Sequence, residues 1–124
     1  MRAWLRRRLP RRVRYWVLER SFFGLSSDYR MVEASEARIH LVLSGRVQGV
    51  GFRAWALRRA QELGVRGWVR NRRDGSVEVE AVGPPPSLER LRQLLADGPP
   101  LAHVLRVEEE APGGDRLPER FEIH

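Results

Sequence analysis

Two hydrophobic periods alternate in a set order along residues 37–123, and that order limits the fold more than any other feature of the chain. Ile39, Leu41 and Leu43 recur at every second position, the period of a half-buried strand. Phe52, Ala56, Ala60 and Leu63 then recur at helical spacing, with Arg58, Arg59, Gln61 and Glu62 mainly on the other side. Gly64 suits the end of that helix. Val65 to Asn71 predicts a second strand, and Val77, Val79 and Ala81 a third, with Arg73, Asp74 and Gly75 supplying the turn between them. After the break at Gly83-Pro84-Pro85-Pro86, Ser87 is placed to cap a second helix striped by Leu88, Leu91, Leu94 and Leu95. Val104, Leu105 and Val107 mark a fourth strand that runs into Glu108, Glu109 and Glu110. Residues 111–118 read as a loop, and Phe121 to Ile123 as a short C-terminal edge strand.

The order β-α-β-β-α-β predicts an α+β, ferredoxin-like sandwich: an antiparallel sheet with two helices on one face. In its first half, strands one and two run parallel and strand three fits antiparallel between them. Parallel strands end on the same edge of a sheet. The segment after strand one and the end of strand two at Asn71 are therefore expected to open on one side, about 10 Å apart between backbones.

The segment after strand one is Gly45-Arg46-Val47-Gln48-Gly49-Val50-Gly51-Phe52-Arg53. A strand, a glycine-rich loop and a helix start make a common anion site. Glycines let successive backbone N–H groups turn inward, and the helix N-terminus adds unpaired donors and partial positive charge. Arg53, at the junction of loop and helix, adds a planar charged fork suited to phosphate oxygens.

Composition removes several chemistries. The 124 residues suit one domain with a modest core. There is no cysteine, so disulfides, thiolate metal sites and thiol nucleophiles are excluded. All 23 basic Lys+Arg positions are arginine, lysine and threonine are absent, and Asn71 is the one asparagine. His40, His103 and His124 do not cluster in sequence, so no metal site is expected.

The net charge of +7 belongs to the N-terminal arm alone. Residues 1–30 hold nine arginines against Glu19 and Asp28, whereas residues 31–124 hold 14 arginines and 14 acids. The globular part is thus not a basic protein, and nucleic acid is not an expected partner. The arm has no apolar run of signal-peptide or transmembrane length, so no membrane partner and a cytoplasmic location are expected. Trp4, Leu5, Leu9, Val13, Trp16, Val17 and Leu18 would fit an amphipathic helix interrupted at Pro10. The plainer expectation is that residues 1–35 are a basic extension without a fixed fold, or that residues 1–30 lie upstream of a true start at Met31, and that residues 36–124 form the domain.

Three stretches together carry a resemblance. Gly45 to Arg53, then Gly64-Val65-Arg66-Gly67-Trp68-Val69-Arg70-Asn71, then Asp74-Gly75-Ser76-Val77-Glu78, with the ending Phe121-Glu122-Ile123-His124, are similar to the acylphosphatase family over residues 37–124. The resemblance implies a small, monomeric hydrolase that needs no metal and no cofactor. Its substrates would be acyl phosphates such as acetyl phosphate, carbamoyl phosphate or 1,3-bisphosphoglycerate, with inorganic phosphate as product and inhibitor. It puts the catalytic arginine on Arg53, the catalytic asparagine on Asn71 and the phosphate cradle on Arg46, Val47, Gln48, Gly49, Val50, Gly51 and Phe52. Arg72 departs from the small polar residue of several relatives, at the rim of the site.

The chemistry also follows from the residues. An acyl phosphate already has a good leaving group, a carboxylate, so no acid pair is required. What is required is to hold the phosphoryl group and spread its charge, which inward N–H groups and a bidentate arginine can do. A water must also be oriented, and a neutral amide such as Asn71 can accept from it and donate to it without repelling the anion. Against these readings stand blander ones. Most arginines are solvated surface charge, an asparagine can simply end a hairpin, and the glycines can be turn glycines. Gln48 is a candidate brace for the loop, and Trp68, on the face opposite Asn71, is expected to pack or lie exposed. Two other classes remain: an RNA-binding or regulatory module on the same fold, and an acylphosphatase-like domain of a carbamoyl-transfer system.

Overall fold

The computed structural model describes residues 12–20 and 27–124, with side chains from residue 36 onward. The chain divides into two units, residues 1–36 and 37–124. In the first unit, β1 (Arg12–Arg20) and β2 (Ser27–Ser35) pair antiparallel, with Arg12 opposite Ser35 and Arg20 opposite Ser27. This stretch is strand where the apolar spacing suggested broken helix. Val13, Tyr15 and Val17 are β-branched or aromatic and recur with period two, which suits a strand. The basic start at Arg2 to Arg8 and the interruption at Pro10 lie outside the described residues.

The second unit contains β3 (Ala37–Arg46), α1 (Phe52–Leu63), β4 (Arg66–Asn71), β5 (Val77–Gly83), α2 (Pro85–Asp97), β6 (His103–Glu109) and β7 (Phe121–Ile123). The sheet order is β6-β3-β5-β4-β7. β5 lies antiparallel between β3 and β4, as the split arrangement predicts, so β3 and β4 run parallel. β7 pairs parallel with β4, Gly67 opposite Phe121. The sheet is therefore mixed, not wholly antiparallel, because the chain crosses over before its last strand.

The core is built by the predicted alternation. Ile39, Leu41 and Leu43 of β3, Val69 of β4 and Val77, Val79 and Ala81 of β5 are buried together with Phe52, Ala56 and Ala60 of α1 and Leu88, Leu91 and Leu95 of α2. Gly64 ends α1 in a left-handed conformation, φ 70°, its N–H reaching the Ala60 and Gln61 carbonyls. α2 starts earlier than Ser87. Pro84 is its N-cap, Pro85 opens it, and Ser87 is buried within the first turn. Proline is tolerated there because the first helical N–H groups have no intrahelical acceptor to lose.

Candidate active site

The glycine-rich segment at the end of β3 begins at an irregularity in the sheet. The pairing of β3 with β6 shifts register between Ser44 and Gly45. Gly45 has φ 122°, and a Cβ on it would meet the His103 carbonyl oxygen at 2.3 Å. Only glycine lets the strand shift register this close to its partner, and pairing resumes at Gly45–Val104 and Arg46–His103. The loop then crosses back toward the helix. Val47 is fully buried, so the side chain anchors the loop in the core and leaves its backbone for any ligand. Val50 packs against that core from a half-buried position. Gly49 and Gly51 also have left-handed φ, 74° and 77°.

Gly51 is the N-cap of α1, and no side chain caps this helix. Trp55 N–H bonds to the Gly51 carbonyl, 3.0 Å, which starts the ladder. Phe52 is buried and meets Trp55 edge to face, 5.6 Å between centroids. Its side chain is thus core, and only its backbone is available to a cradle. Arg53 follows in the first turn, half-buried, where the helix N-terminus favours an anion. Arg46 is exposed at the end of β3, opposite His103.

Asn71 is the last residue of β4, exposed, and its backbone is paired with Val77. The turn that follows is tightly built. Arg72 N–H bonds to Ser76 O at 2.8 Å and Gly75 N–H to Arg72 O at 3.2 Å. The Asp74 carboxylate accepts from Ser76 N–H at 2.9 Å and from Ser76 Oγ at 2.5 Å. The Ser76 hydroxyl, then its backbone N–H, hold the Asp74 carboxyl below its usual range.

Gln48 ties the two segments together. Its Nε2 donates to Arg72 O at 2.8 Å and to Ser76 O at 2.9 Å. The strand gap expected from topology is therefore bridged by one side chain, and the loop lies beside the residue that follows Asn71. A brace was legible in the sequence as a candidate; its two acceptors were not, because they depend on the path of a turn 24 and 28 residues away.

On the opposite face of the sheet the sequence reading missed a second polar assembly. Glu78 and Glu80 of β5 are buried there, 6% and 5% exposed. Arg70 donates to Glu78 at 2.8 Å. His40 Nε2 lies 2.5 Å from Glu78 Oε2 and 3.9 Å from Glu110, and its Nδ1 lies 3.3 Å from Ala111 O. The segment after β6 closes over this face. Gly113 N–H donates to Glu80 at 2.9 Å, Arg38 donates to Glu80 and to Asp115 O, and Arg66 donates to Leu117 O. Trp68 stacks on His124, 5.6 Å and 12° apart, with Arg70 over its ring at 5.1 Å. The shared parity of His40, Glu78 and Glu80 was visible, but the strand register that brings them together was not.

His40, Glu78 and Glu110 have ligand atoms within 4.8 Å of one another, a spacing a divalent cation could use. A carbonyl can only accept, so the contact with Ala111 makes Nδ1 a donor, and a second proton on Nε2 is donated to Glu78, with Glu110 near enough only for charge attraction. Arg70 already occupies the other oxygen of Glu78. The set is best read as an ion-pair network.

This network predicts a pH dependence. Burial alone would disfavour charge on His40, but the Glu78 hydrogen bond, the Ala111 carbonyl and the charges of Glu78 and Glu80 outweigh it and raise its pKa above 6.5. Burial would likewise raise Glu78, yet His40 and Arg70 hold it below 4.5. A raised histidine stabilises below its unfolded value and loses that contribution as pH rises through its folded value. A depressed carboxylate stabilises above its unfolded value and loses it on acidification. The pair should contribute most between the two ordinary values. His40→Gln keeps a donor but does not titrate, so its melting temperature should fall less than the wild type's as pH rises above the ordinary histidine value. Equal slopes in thermal melts would contradict this.

The comparisons with known proteins agree with this architecture. The acylphosphatase family model matches residues 39–123. An acylphosphatase of Cupriavidus pinatubonensis is 58% identical over 84 residues, covering 68% of this chain and 91% of that protein. A solved acylphosphatase of Coxiella burnetii superposes with a TM-score of 0.66 at 38% identity, covering 72% of this chain and 93% of its own. HypF of T. kodakarensis aligns with a TM-score of 0.61 at 32% identity over 69% of this chain and 11% of its own length. The matched region takes in the loop, both helices and every strand from β3 to β7, and on that ground the chain belongs to the acylphosphatase family.

Proposed function

We propose that this protein hydrolyses the carboxyl–phosphate bond of acyl phosphates. Water attacks phosphorus, the bond from phosphorus to the carboxyl oxygen breaks, and carboxylate and inorganic phosphate leave. The observation that supports this most is the Gln48 bridge. It fastens the loop that leads to Arg53 to the turn that follows Asn71. The anion grip and the neutral amide, in this reading, share one edge of the sheet.

In this reading, backbone N–H groups of Arg46 through Phe52 and the guanidinium of Arg53 hold the phosphoryl oxygens and stabilise the charge that spreads over them. Val47 and Phe52 serve through their backbones, because their side chains are core. Asn71 orients the attacking water, and a phosphate oxygen of the substrate takes its proton. The carboxylate leaves without needing an acid. Arg72, Arg73 and Trp55 are the candidates for reading the acyl group at the rim. The proposed unit of function is residues 36–124, with residues 1–35 an extension, acting as a cytoplasmic monomer on a small molecule. The RNA reading has little support: Trp68 is covered by His124 and Arg70, and the buried glutamates of β5 put negative charge on the sheet face.

The test is release of phosphate from acetyl phosphate by the full chain, before and after EDTA treatment. Activity should survive the chelator. Asn71→Ala should lower kcat by about 100-fold or more, while inorganic phosphate still inhibits competitively. An inactive wild type, or an Asn71→Ala variant of normal kcat, would overturn the proposal.

A further inference from the structure

We propose that the Gln48 side chain is a positioning group, which sets the water-orienting Asn71 against the phosphate grip and does not itself touch phosphate. The inference rests on the acylphosphatase reading and concerns how its two halves are kept in register. A glutamine amide nitrogen has two hydrogens, and both are committed, one to Arg72 O and one to Ser76 O. The side-chain donors are thus unavailable to a phosphoryl oxygen. What remains of Gln48 for the substrate is its backbone N–H.

The acceptors explain the role. Both carbonyls belong to the turn that begins directly after Asn71. Ser76 O also takes the Arg72 N–H, and Arg72 O also takes the Gly75 N–H. The Asp74 carboxylate closes the same turn through Ser76. The turn is therefore stiff by itself, and Gln48 is the side chain that ties it to the loop. The grip sits on the β3–α1 connection, whereas Asn71 sits on the far strand, with β5 between their strands. Their relative placement needs a cross-link of this kind. Gln48 is half-buried, so its bonds are partly shielded from competing water.

A displacement on the order of 1 Å between reacting groups costs about 100-fold in rate, without a comparable loss of binding. Loss of the bridge should accordingly lower kcat and leave phosphate affinity nearly intact. Gln48→Met keeps the length of the side chain and removes both donors. Its kcat for acetyl phosphate should fall by about 10- to 100-fold, with the inhibition constant of inorganic phosphate within about threefold of wild type. Gln48→Glu, which presents a carboxylate to two carbonyls, should fall further. In an Asn71→Ala background, Gln48→Met should add almost nothing, because it acts through a group already gone. A merely structural glutamine would lower the melting temperature and leave kcat of the folded enzyme and the double-mutant coupling unmoved. Three results would overturn the inference: unchanged kcat in Gln48→Met, a phosphate inhibition constant that rises in step with the loss of activity, or additive losses in the double variant. An inactive wild type would instead remove the parent reading.

Discussion

Arg53→Ala is expected to lose nearly all acyl phosphate hydrolysis, with kcat/KM down by about 1,000-fold or more. The expectation comes from the position of the side chain, not from arginine content. Of 23 arginines, this one stands in the first turn of α1, directly after a loop whose glycines hold left-handed conformations. The helix has no side-chain cap, so a bound anion would take that place. Removing the guanidinium leaves backbone donors but takes away the one permanent charge at the junction. Substrate binding and the transition state should both suffer, so KM or the phosphate inhibition constant rises along with the fall in kcat. That distinguishes Arg53 from Asn71 and Gln48, where kcat should carry the loss. Arg53→Lys keeps the charge but not the bidentate fork, and should recover only a small part of the activity. Steady-state kinetics with acetyl phosphate and inhibition by phosphate provide both measurements. An active Arg53→Ala enzyme would sink the assignment of the site.

The largest expected effect on stability is at a glycine remote from the proposed chemistry. Gly67→Ala should lower the melting temperature by about 15 °C or more, equivalent to roughly 3 kcal/mol in a domain of this size. Gly67 has φ 141°, and a Cβ built on it would lie 2.0 Å from the Glu80 carbonyl oxygen and 2.8 Å from the Ala81 Cα. Both obstacles are backbone of the adjoining strand, so no side chain can swing aside. β4 would have to move away from β5 near the pairs Gly67–Ala81 and Gly67–Phe121. The same strand ends in Asn71, so whatever protein remained folded should also lose activity. Circular dichroism melts of Gly67→Ala against wild type make the comparison. A shift of only a few degrees would show that the strands can part at little cost.

The element order was legible because periodicity is a local property. Ile39, Leu41 and Leu43 report a strand, and Phe52, Ala56 and Ala60 a helix, whatever lies elsewhere in the chain. Local chemistry was less reliable at α2, where Ser87 looked like a cap but Pro84 and Pro85 start the helix. Two adjacent signals competed there, and prolines are acceptable on either side of a helix start. The direction of β7 was not legible, since three residues carry no record of which neighbour they join or which way they run. The burial of Glu78 and Glu80, with His40 and Arg70 paired to Glu78, was likewise hidden. Alternating glutamates on a strand usually mean solvent, but here Arg38, His40, Arg70 and the segment at residues 110–118 lie over them.

For the site, sequence alone determined the parts: a glycine-rich loop entering a helix, an arginine at the junction, and a lone asparagine at the end of the next strand. Those depend on residue type and spacing within a few turns of chain, which the sequence states directly. The tertiary structure decided how the parts are joined. It spent the side chains of Val47 and Phe52 on the core and both donors of Gln48 on the turn after Asn71. No local rule could place an amide against carbonyls 24 and 28 residues away. That contact exists only once β5 has inserted between β3 and β4 and brought their ends to a common edge.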